Sequence, residues 1–182
     1  ILKAPDELWG SERVTVSYGQ GVSSTSLQLA AAVNVIANGG IYVAPKLVRA
    51  VVGPDGAQTP APDAPSRRVV SEQAANQTAA MMQRVVCEGT ATRAQVDNLP
   101  IAGKTGTTSD RRDAWFVGFN ADLVAASWIG FDQERSLGDN EEGGHTALPM
   151  WIYFMQEALK GRPEHRLPQP PGVVRMWVSR ET

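Results

Sequence analysis

Apolar residues recur at helical spacing in two segments of the first half of the chain. The first segment begins beside Ser24 and Thr25, either of which can cap the free N–H groups of a helix, and it stops at the Asn-Gly-Gly run of residues 38–40. The second segment begins at Ser71, another capping residue, and stops at residues 88–91. We therefore expect two helices between these limits.

The rest of the first half has weaker patterns. We expect residues 1–23 to be irregular. Residues 41–52 predict an extended segment or a strand pair that is interrupted at Pro45, and residues 53–56, Gly-Pro-Asp-Gly, have strong turn chemistry. Residues 57–66 are rich in Pro and Ala, which is typical of an exposed, variable loop.

Strand patterns dominate the second half. Apolar runs cover Ile101–Thr107, Ala114–Phe119 and Leu123–Phe131, and the short polar link at 120–122 predicts a hairpin between the last two. Both faces of the third run are mostly apolar, which indicates a central strand covered on both sides. A helix at about 147–160 closes the order of elements. The sequence therefore predicts an α+β fold, in which helices pack on an antiparallel sheet.

Length and composition fit one domain over residues 1–182, with a loosely packed, Pro-rich tail at 161–182. The formal net charge is −2 and there is no polybasic tract, so binding of nucleic acid has no electrostatic basis. No apolar run reaches the roughly 18 to 20 residues of a membrane helix, so we expect no membrane contact by this segment. Cys87 is the only cysteine, which excludes an internal disulfide and predicts a small buried apolar side chain.

The chemistry of the chain is concentrated in the run Lys104-Thr105-Gly106-Thr107, at the end of the first predicted strand. If that strand borders a cleft, Lys104 supplies positive charge and the hydroxyls of Thr105 and Thr107 supply hydrogen-bond donors for a carboxylate. Gly106 has no side chain, so the backbone of an extended peptide can lie against the strand and pair with it. The N–H of Thr107 is a candidate arm of an oxyanion hole.

Other polar residues give weaker signals. His145 and His165 lie apart in polar segments without a second ligand at useful spacing, so we predict no metal site. We interpret Glu141-Glu142 as exposed acids and residues 110–113 as a solvated charged turn that could also border the cleft. Trp115 is close enough to the motif to reach the cleft, although a core position is the simpler interpretation. No pattern predicts a cofactor.

The motif and its surroundings resemble the transpeptidase domains of penicillin-binding proteins. The runs that are similar to monofunctional, class B division-type members are residues 17–21, 26–30 and 36–40. The runs that are similar to bifunctional, class A members are residues 113–119, 128–132 and 147–151. The two resemblances meet near the Lys-Thr-Gly motif, as they would in a recombined or designed chain or in a divergent member of the family.

The resemblance implies a partial β-lactamase/transpeptidase-like fold and, in the complete protein, a serine acyltransferase. In this family a serine attacks the D-Ala–D-Ala bond of a peptidoglycan stem peptide, and the acyl group passes to an amine of a neighbouring stem. β-Lactams acylate the same serine. By motif match, binding of the substrate or drug carboxylate falls on Lys104, Thr105, Gly106 and Thr107. The resemblance also implies the extracytoplasmic (periplasmic) face of the inner membrane, reached through an anchor outside these residues.

The catalytic motifs of the family are absent from this sequence. No serine has lysine three residues later, and there is no Ser-x-Asn; Ser66 leads to Val69 and Ser109 to Arg112. Because a serine nucleophile needs an adjacent base, we expect no turnover and no covalent penicillin binding unless the remainder of the domain supplies both groups. We interpret the chain as the C-terminal portion of a transpeptidase domain. The alternatives are a β-lactamase or D,D-carboxypeptidase of the same fold, and a non-catalytic binding module.

Overall fold

A computed structural model describes residues 3, 5–92 and 100–167. Within these residues the α-helices are α1 (Glu12–Ser17), α2 (Ser26–Ala37), α3 (Glu72–Glu88) and α4 (Leu148–Ala158). The strands are β1 (Ile41–Val43), β2 (Ala50–Val52), β3 (Gln58–Pro60), β4 (Ser66–Arg68), β5 (Ala102–Thr107), β6 (Asp113–Phe119) and β7 (Val124–Gly130). The fold is α+β, as the sequence predicts.

Strands β5, β6 and β7 form an antiparallel sheet in that order. Residue Thr107 of β5 lies opposite Ala114 of β6, and Asp113 of β6 lies opposite Gly130 of β7. The predicted hairpin between β6 and β7 is present, and the Asn120 side chain closes it by accepting hydrogen bonds from the N–H groups of residues 122 and 123. Two smaller antiparallel pairs, β1 with β4 and β2 with β3, lie outside this sheet.

The first long helix begins at the second of the two capping candidates. Thr25 Oγ1 accepts a hydrogen bond from Gln28 N at 3.2 Å, and the Gln28 side chain accepts one from Thr25 N at 2.9 Å. This reciprocal pair satisfies two of the otherwise free groups at the start of α2. Ser71 caps α3 in the predicted way, through its Oγ and Ala74 N at 3.1 Å.

Helix α4 covers one face of the three-stranded sheet. Phe116 of β6 meets Trp151 of α4 edge-to-face, with ring centroids 5.1 Å apart, and both side chains are fully buried. Ser127 of β7 is also buried, and its Oγ donates to the carbonyl of Ala147 just before α4 at 2.8 Å. The core cluster on this face comprises Val86, Ala91, Ile101, Ala114, Phe116, Ala147, Leu148, Trp151 and Met155.

Helix α2 packs on the other face of the sheet, against β6 and β7. Val117 and Phe119 alternate with Phe116 along β6, so they point to this second face, where both are buried. Strand β7 is therefore covered on both faces, as its apolar pattern indicates. It lies at an edge of the sheet formed by the described residues, however, and not at the centre.

Three local expectations differ from the structure. Residues 12–17, expected to be irregular, form the short helix α1, and the Pro/Ala-rich segment contains β3 and the first residue of β4, Ser66. The side chain of Cys87, expected to be buried, is exposed because it lies on the outer side of α3. Of the predicted tail, residues 161–167 contain no helix or strand, and residues 168–182 lie outside the described part of the chain.

Candidate functional site

The Lys-Thr-Gly-Thr run forms the second half of β5, which is an edge strand of the described sheet. Lys104 is exposed, Thr105 and Gly106 are half-buried, and Thr107 is exposed. The four residues therefore lie together on an accessible strand edge, in the extended conformation that the sequence predicts.

The hydrogen-bond phase of β5 determines which backbone groups face away from the sheet. Thr108 N donates to Asp113 O at 3.1 Å, and these two residues lie directly opposite each other in the register. In an antiparallel pair, directly opposed residues alternate between bonding each other and pointing their groups outward. The N–H and C=O groups of Thr105 and Thr107 therefore point away from β6, toward the edge of the sheet that is unpaired among the described strands.

The Lys104 ammonium lies over this edge. Its Nζ donates to the outward carbonyl of Thr105 at 2.8 Å and is 3.5 Å from Thr105 Oγ1. This position puts a positive charge beside outward-pointing amides, which is a suitable arrangement for an anionic peptide terminus.

Both threonine hydroxyls of the motif are contacted by other parts of the chain. Thr105 Oγ1 is 3.0 Å from Thr90 Oγ1, which follows the end of α3. Thr107 Oγ1 accepts a hydrogen bond of 3.2 Å from Gly143 N, which precedes α4. Side-chain and backbone groups more than ten residues away along the chain therefore fix the direction of these hydroxyls.

Gly143 lies directly against the motif backbone. A Cβ at this position would be 2.5 Å from Gly106 O and 2.3 Å from Trp115 O, on the adjacent strand. Neither atom belongs to a flexible side chain, so only glycine fits. The Gly-Gly pair at 143–144 thus supports β5 from the face that carries the threonine side chains.

The turn from β5 to β6 is closed by a reciprocal pair of hydrogen bonds. Asp113 N donates to Thr108 Oγ1 at 2.8 Å, and Thr108 Oγ1 donates to Asp113 Oδ2 at 3.2 Å. Inside the turn, Asp110 and Arg111 have φ angles of 59° and 52°, an uncommon left-handed conformation for residues with side chains. The turn is therefore held by specific contacts at its base.

The charged side chains of this turn form ion pairs as well as facing solvent. Arg112 contacts Glu134 at 2.9 Å and Asp110 at 3.2 Å, and Arg111 lies 3.5 Å from Glu142. The prediction of a solvated charged turn at 110–113 is therefore incomplete. The ion pairs also connect the turn to the loop that follows β7.

The remaining candidate residues do not join the site in a metal-binding arrangement. His145 is exposed, and His165 Nδ1 is 2.7 Å from Asp122 Oδ1, at the opposite end of the β6–β7 hairpin. Glu141 accepts a hydrogen bond from the Thr146 hydroxyl. Among the described residues, no group of His, Cys, Asp and Glu is placed to hold a metal ion.

Trp115 lies next to the motif without being part of the outer edge. It is half-buried opposite Gly106, and its ring centroid is 6.1 Å from that of Trp128. Its Cβ is 3.2 Å from the position that a Cβ on Gly106 would occupy. A side chain at position 106 would therefore be in tight contact with Trp115.

Sequence reasoning did not identify Thr90 or Gly143 as neighbours of the motif. The sequence pattern places Thr90 only at the end of a helix and assigns no role to Gly143. They are 15 and 36 residues from their hydrogen-bond partners, so no local pattern connects them to β5. The Gly-Gly pair was the one local signal, because paired glycines often mark close backbone approach.

Comparison with known proteins shows which family this chain resembles. The family model described as "Penicillin binding protein transpeptidase domain" matches residues 2–143. Penicillin-binding protein 1A of Neisseria lactamica is 41% identical over 180 residues, covering 93% of this chain and 22% of that protein. Penicillin-binding protein 1A of Pseudomonas aeruginosa is 43% identical over 124 residues, covering 68% of this chain and 15% of that protein.

Solved structures give the same result. The crystal structure of penicillin-binding protein 1A from Haemophilus influenzae matches 93% of this chain and 31% of its own chain, with a TM-score of 0.81 and 27% identity. An imipenem acyl-enzyme complex of penicillin-binding protein A from Mycobacterium tuberculosis matches 86% of this chain and 36% of its own, with a TM-score of 0.69 and 29% identity.

The chain spans about a fifth or less of the length of the two curated relatives. Both relatives are named penicillin-binding protein 1A, and both align on either side of the Lys-Thr-Gly strand. The family match covers more than half of the chain and includes β5 with its four motif residues. The chain belongs to the penicillin-binding protein transpeptidase domain family.

Proposed function

We propose that this chain forms the carboxylate-binding wall of a peptidoglycan D,D-transpeptidase. One observation carries the proposal: the outward-pointing amides of Thr105 and Thr107 lie beside the Lys104 ammonium, on a strand edge that no other described strand pairs with. A peptide that ends in a free carboxylate can pair with this edge through its backbone and place its charge beside the lysine.

Each motif residue has a distinct role in this proposal. Lys104 attracts the carboxylate, and the Thr105 and Thr107 hydroxyls donate hydrogen bonds to it. Gly106 leaves the strand surface open for the peptide backbone. The Thr107 N–H, which faces the free edge, supplies one arm of an oxyanion hole for the carbonyl under attack.

The acyl-transfer step requires groups that this sequence lacks. With no Ser-x-x-Lys and no Ser-x-Asn, the nucleophile, its base and the proton relay come from the remainder of the transpeptidase domain. In the complete protein, the serine is acylated by a stem peptide or by a β-lactam while β5 holds the carboxylate. The acyl-enzyme complex solved for a family member supports this chemistry.

The structure of β7, at the opposite edge of the sheet, supports the proposal that the remainder of the transpeptidase domain packs there. The register and phase turn the backbone N–H and C=O groups of Ala126 and Trp128 in β7 outward. A cavity of about 330 Å³ lies beside this edge and is lined by apolar side chains that include Met150 and Phe154. Outward backbone groups flanked by apolar side chains fit a further strand of the same domain.

The cellular setting follows from the substrate. No helix in the described residues is both long and apolar enough to cross a membrane. Peptidoglycan stem peptides are cross-linked outside the cytoplasm, so we propose that the complete protein acts at the periplasmic face of the inner membrane and is anchored there by a segment outside this sequence.

Carboxylate binding can be tested directly on the 182-residue chain. We expect N-acetyl-D-alanyl-D-alanine to shift the amide NMR resonances of residues 103–107, and its C-terminal carboxamide to shift them far less. Lys104→Ala should weaken the interaction, whereas Lys160→Ala, which removes an exposed lysine near the end of α4, should not. Equal binding of the acid and the amide would overturn the proposed role of β5.

Acyl transfer needs a complementation experiment. The chain alone should not react with a fluorescent penicillin. Addition of a segment that carries Ser-x-x-Lys and Ser-x-Asn, taken from a penicillin-binding protein 1A relative, should restore labelling of the added segment. Covalent labelling of this chain by itself would show that a nucleophile is present here, contrary to the proposal.

A further inference from the structure

We propose that Thr90 is a positioning residue that orients the Thr105 hydroxyl as a donor to the substrate carboxylate. This inference rests on the proposed function of β5. It assigns a role to a residue outside the Lys-Thr-Gly-Thr run.

Thr90 is held close to the motif by the packing on either side of it. It follows Gly89, which ends α3, and it lies between Val86 and Ala91, which are both buried in the core cluster. Its carbonyl oxygen is 3.3 Å from the position that a Cβ on Gly144 would occupy. Thr90 is thus fixed between the end of α3 and the Gly-Gly pair that supports β5.

The contact between the two threonines is a direct hydroxyl–hydroxyl hydrogen bond of 3.0 Å. A hydroxyl has one proton to donate and two lone pairs to accept with. If Thr105 donates its proton to a carboxylate, the Thr90 contact persists only with Thr90 as the donor. Thr90 has no acidic or basic chemistry of its own, so its effect on substrate is through Thr105.

Thr107 has the same arrangement with a different donor. Gly143 N donates to Thr107 Oγ1, which uses a lone pair and leaves the Thr107 proton for another acceptor. Each motif threonine therefore has a hydrogen-bond partner behind it, from α3 for Thr105 and from the start of the α4 region for Thr107. This parallel supports the assignment of Thr90 as a donor, because Gly143 N can act only as one.

Removal of the Thr90 hydroxyl should release Thr105. Threonine side chains occupy staggered χ1 states, and a hydrogen bond to Oγ1 selects one of them. Without this partner, Thr105 Oγ1 can turn toward its own backbone, or it can keep only the existing 3.5 Å contact in which Lys104 Nζ donates to it. In either case its proton no longer has a defined direction toward the carboxylate.

The test compares Thr90→Val, which keeps the shape and removes the hydroxyl, with Thr90→Ser, which keeps the hydroxyl. Thr92→Val is the matched control, since Thr92 is an exposed neighbour in the same segment. The first measurement, without ligand, is the set of three-bond couplings to the Thr105 methyl carbon. We expect one χ1 state in the unmodified chain, Thr90→Ser and Thr92→Val, and averaged couplings in Thr90→Val.

The second measurement is NMR titration with N-acetyl-D-alanyl-D-alanine. We expect Thr90→Val to weaken binding by about three- to tenfold, which is the range of one net hydrogen bond. Thr90→Ser and Thr92→Val should bind within about twofold of the unmodified chain. A merely structural role for Thr90 would change the melting temperature and leave the couplings of Thr105 in the folded state unaltered.

The outcomes separate this inference from the proposed function. If the unmodified chain binds the dipeptide and Thr90→Val binds it equally well, the role of Thr90 is overturned and the role of β5 stands. Unaltered Thr105 couplings in Thr90→Val also overturn it. If the unmodified chain does not distinguish the dipeptide from its carboxamide, the proposed function itself fails.

Discussion

The indole Nε1 of Trp128 donates a hydrogen bond to Asp113 Oδ1 at 2.8 Å. The two residues lie on adjacent strands, at the end of the sheet where the Lys-Thr-Gly-Thr run stops. Asp113 also closes the turn after β5 through Thr108. The bond therefore connects β7, which has no direct contact with the motif in the sheet, to the turn that fixes the end of β5.

Replacement of Trp128 should reveal the contribution of this bond. We expect Trp128→Phe to lower the free energy of unfolding by about 1 to 2 kcal/mol, because it leaves one Asp113 oxygen without its donor. Denaturant-induced unfolding measures the change. Trp9→Phe is the control: that side chain is 77% exposed, and the substitution should change stability by less than about 0.5 kcal/mol. Equal effects of the two substitutions would contradict the assigned role of Asp113.

The glycine pair before α4 offers a sharper comparison. Gly143→Ala places a methyl group against two backbone carbonyls, so we expect a loss of about 1 to 3 kcal/mol or more in unfolding free energy. Gly144→Ala should cost clearly less, because its nearest neighbours would be at 3.3 and 3.7 Å. Thermal unfolding of the two variants tests the difference. A Gly144→Ala variant as unstable as Gly143→Ala would show that the close approach to β5 is not the cause.

The cap of α2 gives a prediction that sequence alone could not decide. Thr25→Ala should destabilise the chain by about 1 kcal/mol, since Gln28 N loses its acceptor. Ser24→Ala should have little effect, because the helix begins one residue later than Ser24 would place it. Circular dichroism melts of both variants measure the contrast. Larger destabilisation by Ser24→Ala would show that the cap is misassigned.

The apolar surface beside β7 should make the isolated chain associate. Unpaired strand edges with apolar neighbours are sites of intermolecular pairing. Phe154 lines the cavity next to this edge and is 56% exposed, so Phe154→Lys should reduce the concentration-dependent species seen in sedimentation velocity. Tyr153→Lys, at a more exposed position that does not line the cavity, should reduce it less. If the unmodified chain were monomeric at all concentrations, this surface would not mediate self-association.

Local patterns were sufficient for most of the second half of the fold. The strands and their hairpin were predictable because apolar runs and the polar link at 120–122 act over short distances. Ser71 was predictable as the cap of α3, and the cap of α2 was predictable as either Ser24 or Thr25, because a cap and its partner are three residues apart. The motif itself was predictable as the end of a strand because its residues are consecutive and follow an apolar run, whereas its position at an edge of the sheet came from the structure.

The features that the sequence did not predict depend on contacts between residues far apart in the chain. The role of Gly143 depends on backbone atoms of Gly106 and Trp115, and the contact of Thr90 depends on the end of α3 folding back to β5. The edge position of β7 was also missed, because a strand covered on both faces has the same apolar pattern whether or not it has a neighbour on each side. Such features require knowledge of which elements meet.

The turn at residues 108–113 has a consequence beyond its own contacts. A shift of one residue between β5 and β6 would invert the alternation of the edge strand. The amides of Thr105 and Thr107 would then be consumed inside the sheet, and the groups of Lys104 and Gly106 would take their place outside. Insertion or deletion of a single residue in this turn would thus abolish the site, although all four motif residues would be unchanged. The proposed binding site therefore depends on the length of this turn as well as on the four motif residues.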